Sequence, residues 1–386
     1  MDSVKKAPFE ESGTLSIFHQ MTKLRAMGKD IINVCVGEPD IPPYHIIEEE
    51  AIRAIKSHKI MYTPSEGIQA LREVVSGLLH SEGFHVSPDQ NILITSGAKS
   101  ALFLTFMALT EKNDEVIVPV PYYPSYIPLI RYAGAVPVLI KGNPQKGFKV
   151  SPSDIEPYLT SKSRFFLLNS PVNPTGSVYH PQELEELLSF LAQKNILCVN
   201  DDVYGHFIYD ETLKSDIKAC IHKYQESMIL IRSFSKEYAM TGWRIGYLAT
   251  PDRYISPLKI LQGHILGNAQ TASQYAALKA LENPKRFCVP LDIFKSRREF
   301  VKNIFDHVKN VHYVEPMGAF YLFANIQKSC PGKSSEDVCQ DLLEKVGVAV
   351  TPGKAFGLEG FIRISYADGT ALKKGLERLV EGLTSR

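Results

Sequence analysis

The sequence holds no excess of either charge, no long apolar run and no closely spaced cysteine pair. Lysine and arginine number 43 against 42 aspartates and glutamates, a formal charge of +1 over 386 residues. A chain so balanced has no overall field with which to hold a polyanion, which argues against nucleic-acid binding as its main activity. The six cysteines (Cys35, Cys198, Cys220, Cys288, Cys330 and Cys339) form no C-x-x-C and lie mostly among apolar residues. They are expected to be reduced, buried thiols of a cytoplasmic protein. The longest apolar stretch, ALFLTFMAL (101–109), falls far short of the roughly 20 residues that span a bilayer. The start, MDSVKKAPFE, has no apolar signal core. Neither G-x-x-x-x-G-K nor G-x-G-x-x-G occurs, and the eleven histidines are scattered without metal-like spacing. No metal site, membrane span or nucleotide loop is expected. The length suggests two or three domains at roughly 150 residues each.

What the chain does have is alternation. Between about residues 90 and 250, short apolar runs alternate with amphipathic stretches. The runs are NILIT (91–95), EVIVPV (115–120), RFFLLN (164–169), ILCVN (196–200), MILIR (228–232) and RIGYLAT (244–250). Each is apolar on both faces, as strands buried between helix layers are. From Pro181 to Lys194, leucines at 184, 187, 188 and 191 follow the helical i, i+3, i+4, i+7 pattern behind a proline at the first position. The alternation predicts an α/β fold: a mainly parallel, doubly wound sheet flanked by helices. The last hundred residues predict long helices over 285–309, 334–346 and 370–384, with short strands in GAFYLFANI (318–326) and FIRISYA (361–367). That pattern suggests a smaller α+β domain.

Ligands of open α/β sheets bind outside the carboxyl ends of the strands, so those ends carry the candidates. After NILIT, the turn Ser96-Gly97-Ala98-Lys99-Ser100 opens a helix; it is either a plain βα turn or a phosphate site on free N–H groups. After EVIVPV come Tyr122, Tyr123 and Tyr126, either core aromatics or a plate for a planar ligand. After RFFLLN, Asn173 lies in a turn-forming segment and is a possible donor. After ILCVN stand Asp201, Asp202 and Tyr204; a carboxylate at the end of a buried strand needs a cation or a donor. After MILIR come Ser233 and Lys236, with Arg244 eight residues on. A lysine there is a solvated or ion-paired side chain, or an amine nucleophile and base. Phosphate cradle, aromatic plate, amide donor, carboxylate, tyrosine and lysine together suit a flat, phosphorylated, cationic aromatic aldehyde, which describes pyridoxal 5'-phosphate.

The segments VGEPD (36–40), NSPVNPTG (169–176), DDVY (201–204) and SFSKEYAMTGWRIGY (233–247) occur in an order and spacing that resemble the class I aminotransferases. These belong to the pyridoxal-phosphate superfamily of fold type I, the aspartate aminotransferase-like fold. The resemblance runs over nearly the whole chain, from Val36 to Arg363. It implies that Lys236 is the Schiff-base lysine and proton shuttle, and that Asp201 pairs with the pyridinium nitrogen. Asn173 and Tyr204 would donate to the ring's phenolate oxygen. Ser233, Arg244 and the backbone of Gly97, Ala98 and Lys99 resemble the phosphate cup, and Tyr123 holds the place of a ring-stacking aromatic. Arg363 resembles the arginine that grips the substrate α-carboxylate, and Gly37 the loop glycine closing over it. Tyr62, in MYTPSEG (61–67), matches a tyrosine reaching the phosphate of the neighbouring subunit, which implies a homodimer with shared active sites. Otherwise it is a packed tyrosine before a turn.

The implied division is a large cofactor domain over 41–280 and a small discontinuous domain from 1–40 and 281–386. The implied reaction is ping-pong transfer of an amino group from an L-amino acid to a 2-oxo acid, with aspartate-type or broad specificity. The same pocket chemistry also serves lyases, decarboxylases and amino-acid oxidases. A cofactor-binding regulatory module is the remaining alternative, disfavoured by the neutral charge. The stretch SGTLSIFHQM (12–21) is expected to line the side-chain pocket, with Phe18, His19 and Met21 making it mixed rather than basic. No second cation for a dicarboxylate is assigned.

Overall fold

The structure is a computed structural model and describes residues 13–384. Ser12 of the stretch 12–21, and positions 1–12 and 385–386 of the implied small domain, lie outside the described residues. A helix over Gly13–Ala26 leads into a two-residue strand, β1 (Ile32–Asn33). The next seven strands form one sheet: β2 (Ile92–Thr95), β3 (Glu115–Val120), β4 (Val136–Lys141), β5 (Ser163–Asn169), β6 (Leu197–Asp201), β7 (Met228–Ser233) and β8 (Gly246–Ala249). Their order is β2-β8-β7-β6-β5-β3-β4. Strand β8 runs antiparallel to both neighbours, and the other pairs are parallel. The sheet is mainly parallel, as the apolar runs predict.

Two differences from the sequence expectation have local causes. Strand β8 begins at Gly246 rather than Arg244, because Arg244 adopts φ +51° and cannot join an extended ladder. Strand β4 is absent from the expected set. It is an edge strand with only Ile140 buried, and it carries Pro137, so it lacks the two-faced apolar signature.

Successive residues of the central strands feed two cores. Phe166, Leu168, Cys198 and Leu230 enter one cluster, while Phe165, Leu167, Val199, Ile229 and Ile231 enter the cluster on the opposite face. Helices cover both. The helix over Pro181–Gln193 buries Leu184, Leu187, Leu188 and Leu191, the four residues of the helical pattern. A third cluster joins the chain's two ends: Ile17, Met21, Ile32 and Val34 pack with Val301, Leu322, Ile362 and Leu376. Here β9 (His312–Tyr313), β10 (Tyr321–Asn325), β12 (Thr351–Pro352) and β13 (Phe361–Ser365) form an antiparallel sheet, and β11 (Val348–Ala349) pairs in parallel with β1.

The helix predicted over 285–309 is two helices, Pro284–Phe287 and Leu291–Phe305, divided at Pro290. That predicted over 334–346 is α-helical over Ser335–Asp341 and widens into a looser turn over Leu342–Val346 before Gly347. The last begins at Leu372 rather than Thr370. Five cysteines are buried and Cys288 is partly exposed; all six are free thiols. Among the described residues, no helix is long and apolar enough to cross a membrane.

Candidate active site

Strands β5, β6 and β7 end side by side. Asn169 pairs in register with Asp201, and Asp201 with Ile231. Asp201, the last residue of β6, is 6% exposed. Its Oδ2 accepts a 2.5 Å hydrogen bond from the buried Tyr126 hydroxyl, while the buried Oδ1 has no partner among the described residues. Burial pushes its pKa up to about 6, against the Tyr126 hydrogen bond and with a contribution from neighbouring Asp202. An orphaned carboxylate oxygen in a dry site is costly until a donor arrives. A protonated pyridinium nitrogen is a donor of that kind, so the acceptor fits the cofactor that the resemblance implies. Asp202 is occupied elsewhere. Its Oδ2 accepts from Arg232 Nε at 2.7 Å, and Arg232 continues to Glu82 at 2.6 Å, which also accepts from Lys218.

Lys236 sits on the helical turn Phe234–Glu237, directly after β7. Its Nζ donates to the carbonyl of Gly37 at 2.7 Å, across the gap between the large sheet and the N-terminal loop. Burial lowers its pKa to about 8; Glu38 opposes the shift, and Arg244, Arg363 and Lys99 add to it. Near neutrality a fraction of this amine is unprotonated and available as base or nucleophile. Glu38 accepts a hydrogen bond from the Thr241 hydroxyl.

The turn after β2 is built for an anion. Gly97 has φ +83° and begins the helix Ala98–Leu109 with no side-chain cap, so the first-turn N–H groups point outward. A Cβ at Gly97 would lie 2.8 Å from Arg244 Nη2, which places the guanidinium against this turn. Arg244 is held by a 2.9 Å bond from Nη1 to the carbonyl of Thr241. The Ser233 hydroxyl caps its own helical turn, accepting from Ser235 N at 3.1 Å. Tyr123 meets Tyr126 edge-on with ring centroids 5.4 Å apart, and Lys99 Nζ stands 5.9 Å from the Tyr123 ring.

On the other side, Arg363 of β13 is buried. Nη1 donates to Asn173 Oδ1 at 2.9 Å and Nη2 to the carbonyl of Cys35 at 2.5 Å, while Nε is buried with no partner among the described residues. Its guanidinium lies 4.3 Å from the centroid of Tyr321 and 4.9 Å from that of Phe356. Tyr321 shares a 2.8 Å hydrogen bond with Tyr204. Gly37 leaves room for this tyrosine, since a Cβ there would stand 1.8 Å from the Tyr321 hydroxyl. Gly37→Ala is therefore expected to destabilise the protein by about 2 kcal/mol, the usual scale of overpacking. Its urea unfolding midpoint against that of the parent measures this, and an unchanged midpoint would contradict the crowding.

The structure thus brings Lys236, Gly37, Arg363, Asn173, Tyr204, Asp201, Gly97, Ala98, Lys99, Tyr123, Ser233 and Arg244 to one end of the sheet. Tyr62 stands apart. It is 97% exposed, which rules out packing within its own chain. Its segment is nonetheless tied down: the carbonyl of Met61 accepts from Thr271 at 2.8 Å, and Gln274 donates to Thr63 at 3.1 Å. Met21 lies in the third core rather than in the site, while Phe18 and His19 are exposed.

Two residues with direct contacts here have no role in the set that the resemblance implies: Tyr126, named only among the aromatics after EVIVPV, and Tyr321, not named at all. Tyr126 carries a signal as the third aromatic after β3. Tyr321 carries one only through pairing. Strands β10 and β13 match Phe323 with Arg363, so Tyr321 lies two residues along on the same face.

Known proteins resemble this chain over nearly its whole length. The family model described as aminotransferase class I and II matches residues 29–383. A probable aspartate/prephenate aminotransferase of Aquifex aeolicus is 37% identical over 377 residues, covering 96% of this chain and 94% of its own. An aspartate aminotransferase of Thermotoga maritima is 37% identical over 380 residues, 97% of each chain. Among solved structures, an aspartate aminotransferase from Thermus thermophilus with maleate superposes with a TM-score of 0.91 at 30% identity, over 99% of this chain and 100% of that one.

Proposed function

We propose, since the chain belongs to the aminotransferase class I and II family, that it transfers the amino group of an L-amino acid to a 2-oxo acid with pyridoxal 5'-phosphate held at Lys236. The observation that carries this reading is that two buried polar atoms without a partner among the described residues, Oδ1 of Asp201 and Nε of Arg363, lie at the sheet end that also holds the partly neutral amine of Lys236. When bound, the cofactor supplies an aldehyde that condenses with amines and a protonated ring that accepts the electron pair left at the α-carbon.

Each residue then has a defined task. Asp201 Oδ1 accepts the ring N–H and keeps that proton in place, with Tyr126 fixing the carboxylate through the other oxygen. Asn173 gives its Oδ1 to Arg363, which leaves its amide N–H groups to donate to the ring oxygen beside Tyr204. The turn at Gly97, whose own N–H is held by the Thr95 carbonyl, would present the N–H groups of Ala98 and Lys99 to the phosphate, with Ser233 and Arg244 beside them. Tyr123 offers its ring face to the cofactor ring. Arg363 would bind the substrate α-carboxylate under the Gly37 loop. Lys236 Nζ would take the α-proton and carry it to the cofactor's aldehyde carbon, so that the amino group stays with the cofactor when the 2-oxo acid leaves.

The exposed but tethered Tyr62 supports a homodimer in which each subunit completes its partner's phosphate site. The apolar cluster shared by the chain ends supports a small discontinuous domain (1–40 and 281–386) beside a large one (41–280). Free, mostly buried thiols support a cytoplasmic setting. The names of the relatives favour aspartate-type or broad specificity.

The test uses the purified protein and each L-amino acid in turn, without an acceptor. The expected result is loss of the yellow cofactor band with one 2-oxo acid formed per site. Ammonia, CO2 or peroxide released in place of that stoichiometry would overturn amino transfer in favour of elimination, decarboxylation or oxidation.

A further inference from the structure

Tyr321 touches three parts of the site at once and has no role so far. Its hydroxyl shares the 2.8 Å hydrogen bond with Tyr204, its ring face carries the Arg363 guanidinium at 4.3 Å, and its edge fills the space that Gly37 leaves. The residue is 2% exposed and is held from behind by Phe320 and Tyr204, whose rings lie 5.0 and 5.7 Å away. The Tyr204 ring is itself fixed edge-on by Phe320 at 5.4 Å. Among the described residues neither hydroxyl of the tyrosine pair is hydrogen-bonded to a carboxylate or a cation, so each orients the other. The guanidinium lies over the face of Tyr321, so that ring restricts the planes the guanidinium can take. Bidentate binding of a carboxylate requires the guanidinium's edge.

We propose that Tyr321 is a positioning residue with two separable functions. Its hydroxyl aims the Tyr204 hydroxyl at the ring-oxygen position, and its ring face sets the plane of Arg363 for the substrate carboxylate. Cofactor tuning and substrate grip therefore depend on different atoms of one side chain. This rests on the reading that Tyr204 and Arg363 face cofactor and substrate. Because the hydroxyl acts only through Tyr204, its removal has no effect once the Tyr204 hydroxyl is gone. Because the ring acts only through Arg363, a phenyl ring substitutes for it and an aliphatic side chain does not.

The test compares Tyr321→Phe, Tyr204→Phe, the double variant and Tyr321→Leu as holoenzymes. The first readout is the pH midpoint of the visible cofactor band without substrate. The second is KM and kcat for an amino acid that the parent transaminates. Tyr321→Phe is expected to move the midpoint by half a unit or more, with KM changed less than twofold. The double variant is expected to titrate like Tyr204→Phe alone. Tyr321→Leu is expected to raise KM tenfold or more. Additive shifts in the double variant, an unmoved band in Tyr321→Phe, or an equal KM in the Phe and Leu variants would overturn the proposal. Should Tyr321→Leu not accumulate as folded protein, the Phe variants carry the test by themselves. A parent without a visible band would defeat the underlying reading. A parent with the band whose midpoint Tyr321→Phe leaves in place would defeat this proposal alone.

Discussion

Lys236→Met is expected to reduce amino transfer by about 10⁴-fold or more, because it removes both the amine that holds the cofactor and the proton carrier, and acid–base catalysis alone supplies ~10²–10⁴. Stopped-flow recording of the half-reaction measures it, and a residual rate near that of the parent would defeat the assignment. The same substitution has an expected signature in the protein without cofactor. Burial lowers the lysine's pKa from 10.5 to about 8, so the unfolded chain binds a proton that the folded chain releases between those values. Where the unfolded state binds more protons, stability rises with pH. The parent should therefore gain stability from pH 8 to 10.5 through this residue, and below pH 8 the burial penalty remains at its full size. A side chain of similar length without charge removes the dependence. The expected result is a Lys236→Met protein whose unfolding midpoint is no lower than the parent's at neutral pH and lacks this part of the rise. Urea unfolding of both proteins across that range checks it.

The second large effect is expected at Asp201. Asp201→Asn keeps an acceptor of the same shape and removes the charge that holds a proton on the cofactor ring, and a loss of about 10³-fold in turnover is expected. The sign of its pH dependence differs from that of the lysine. Burial raises the carboxyl from 3.8 to about 6, so the folded protein binds the extra proton between those values. Without a cationic partner, stability falls as pH rises through that window and the penalty persists above it. A protonated ring at Oδ1 relieves this cost, so cofactor affinity should increase as pH rises through 6, and Asp201→Asn should abolish the trend. Fluorescence titration of the cofactor at pH 5 and pH 7 reads this directly. Equal affinity at both pH values in the parent would show that Asp201 does not face a cation.

Asp201 also shows where reading the sequence stops. It stands beside Asp202 at the end of one apolar run, and burial cost applies to both alike. The structure separates them by what arrives from elsewhere. Arg232, itself tied to Glu82 and Lys218, engages Asp202, while Tyr126 takes only one oxygen of Asp201. Those partners lie 30 and 75 residues away in the chain. Lys236 and Arg244 were legible for the opposite reason: both lie within one short segment whose strand–turn–strand pattern places them at the same sheet end. Strand β4 was not, because an exposed edge strand with a proline lacks the apolar pattern that reveals its neighbours.

By itself, then, the sequence determined the α/β sheet, the end of it that carries chemistry, and the residue types gathered there. Those follow from local periodicity and from the rule that strand ends lie together. Tertiary structure alone decided which carboxylate oxygen is left without a donor, which ring supports Arg363, and that Tyr62 projects outward rather than inward. Each of these depends on pairing between strands and loops far apart in the chain, where a hydrogen bond or a stacked ring is a property of two distant residues and not of either one.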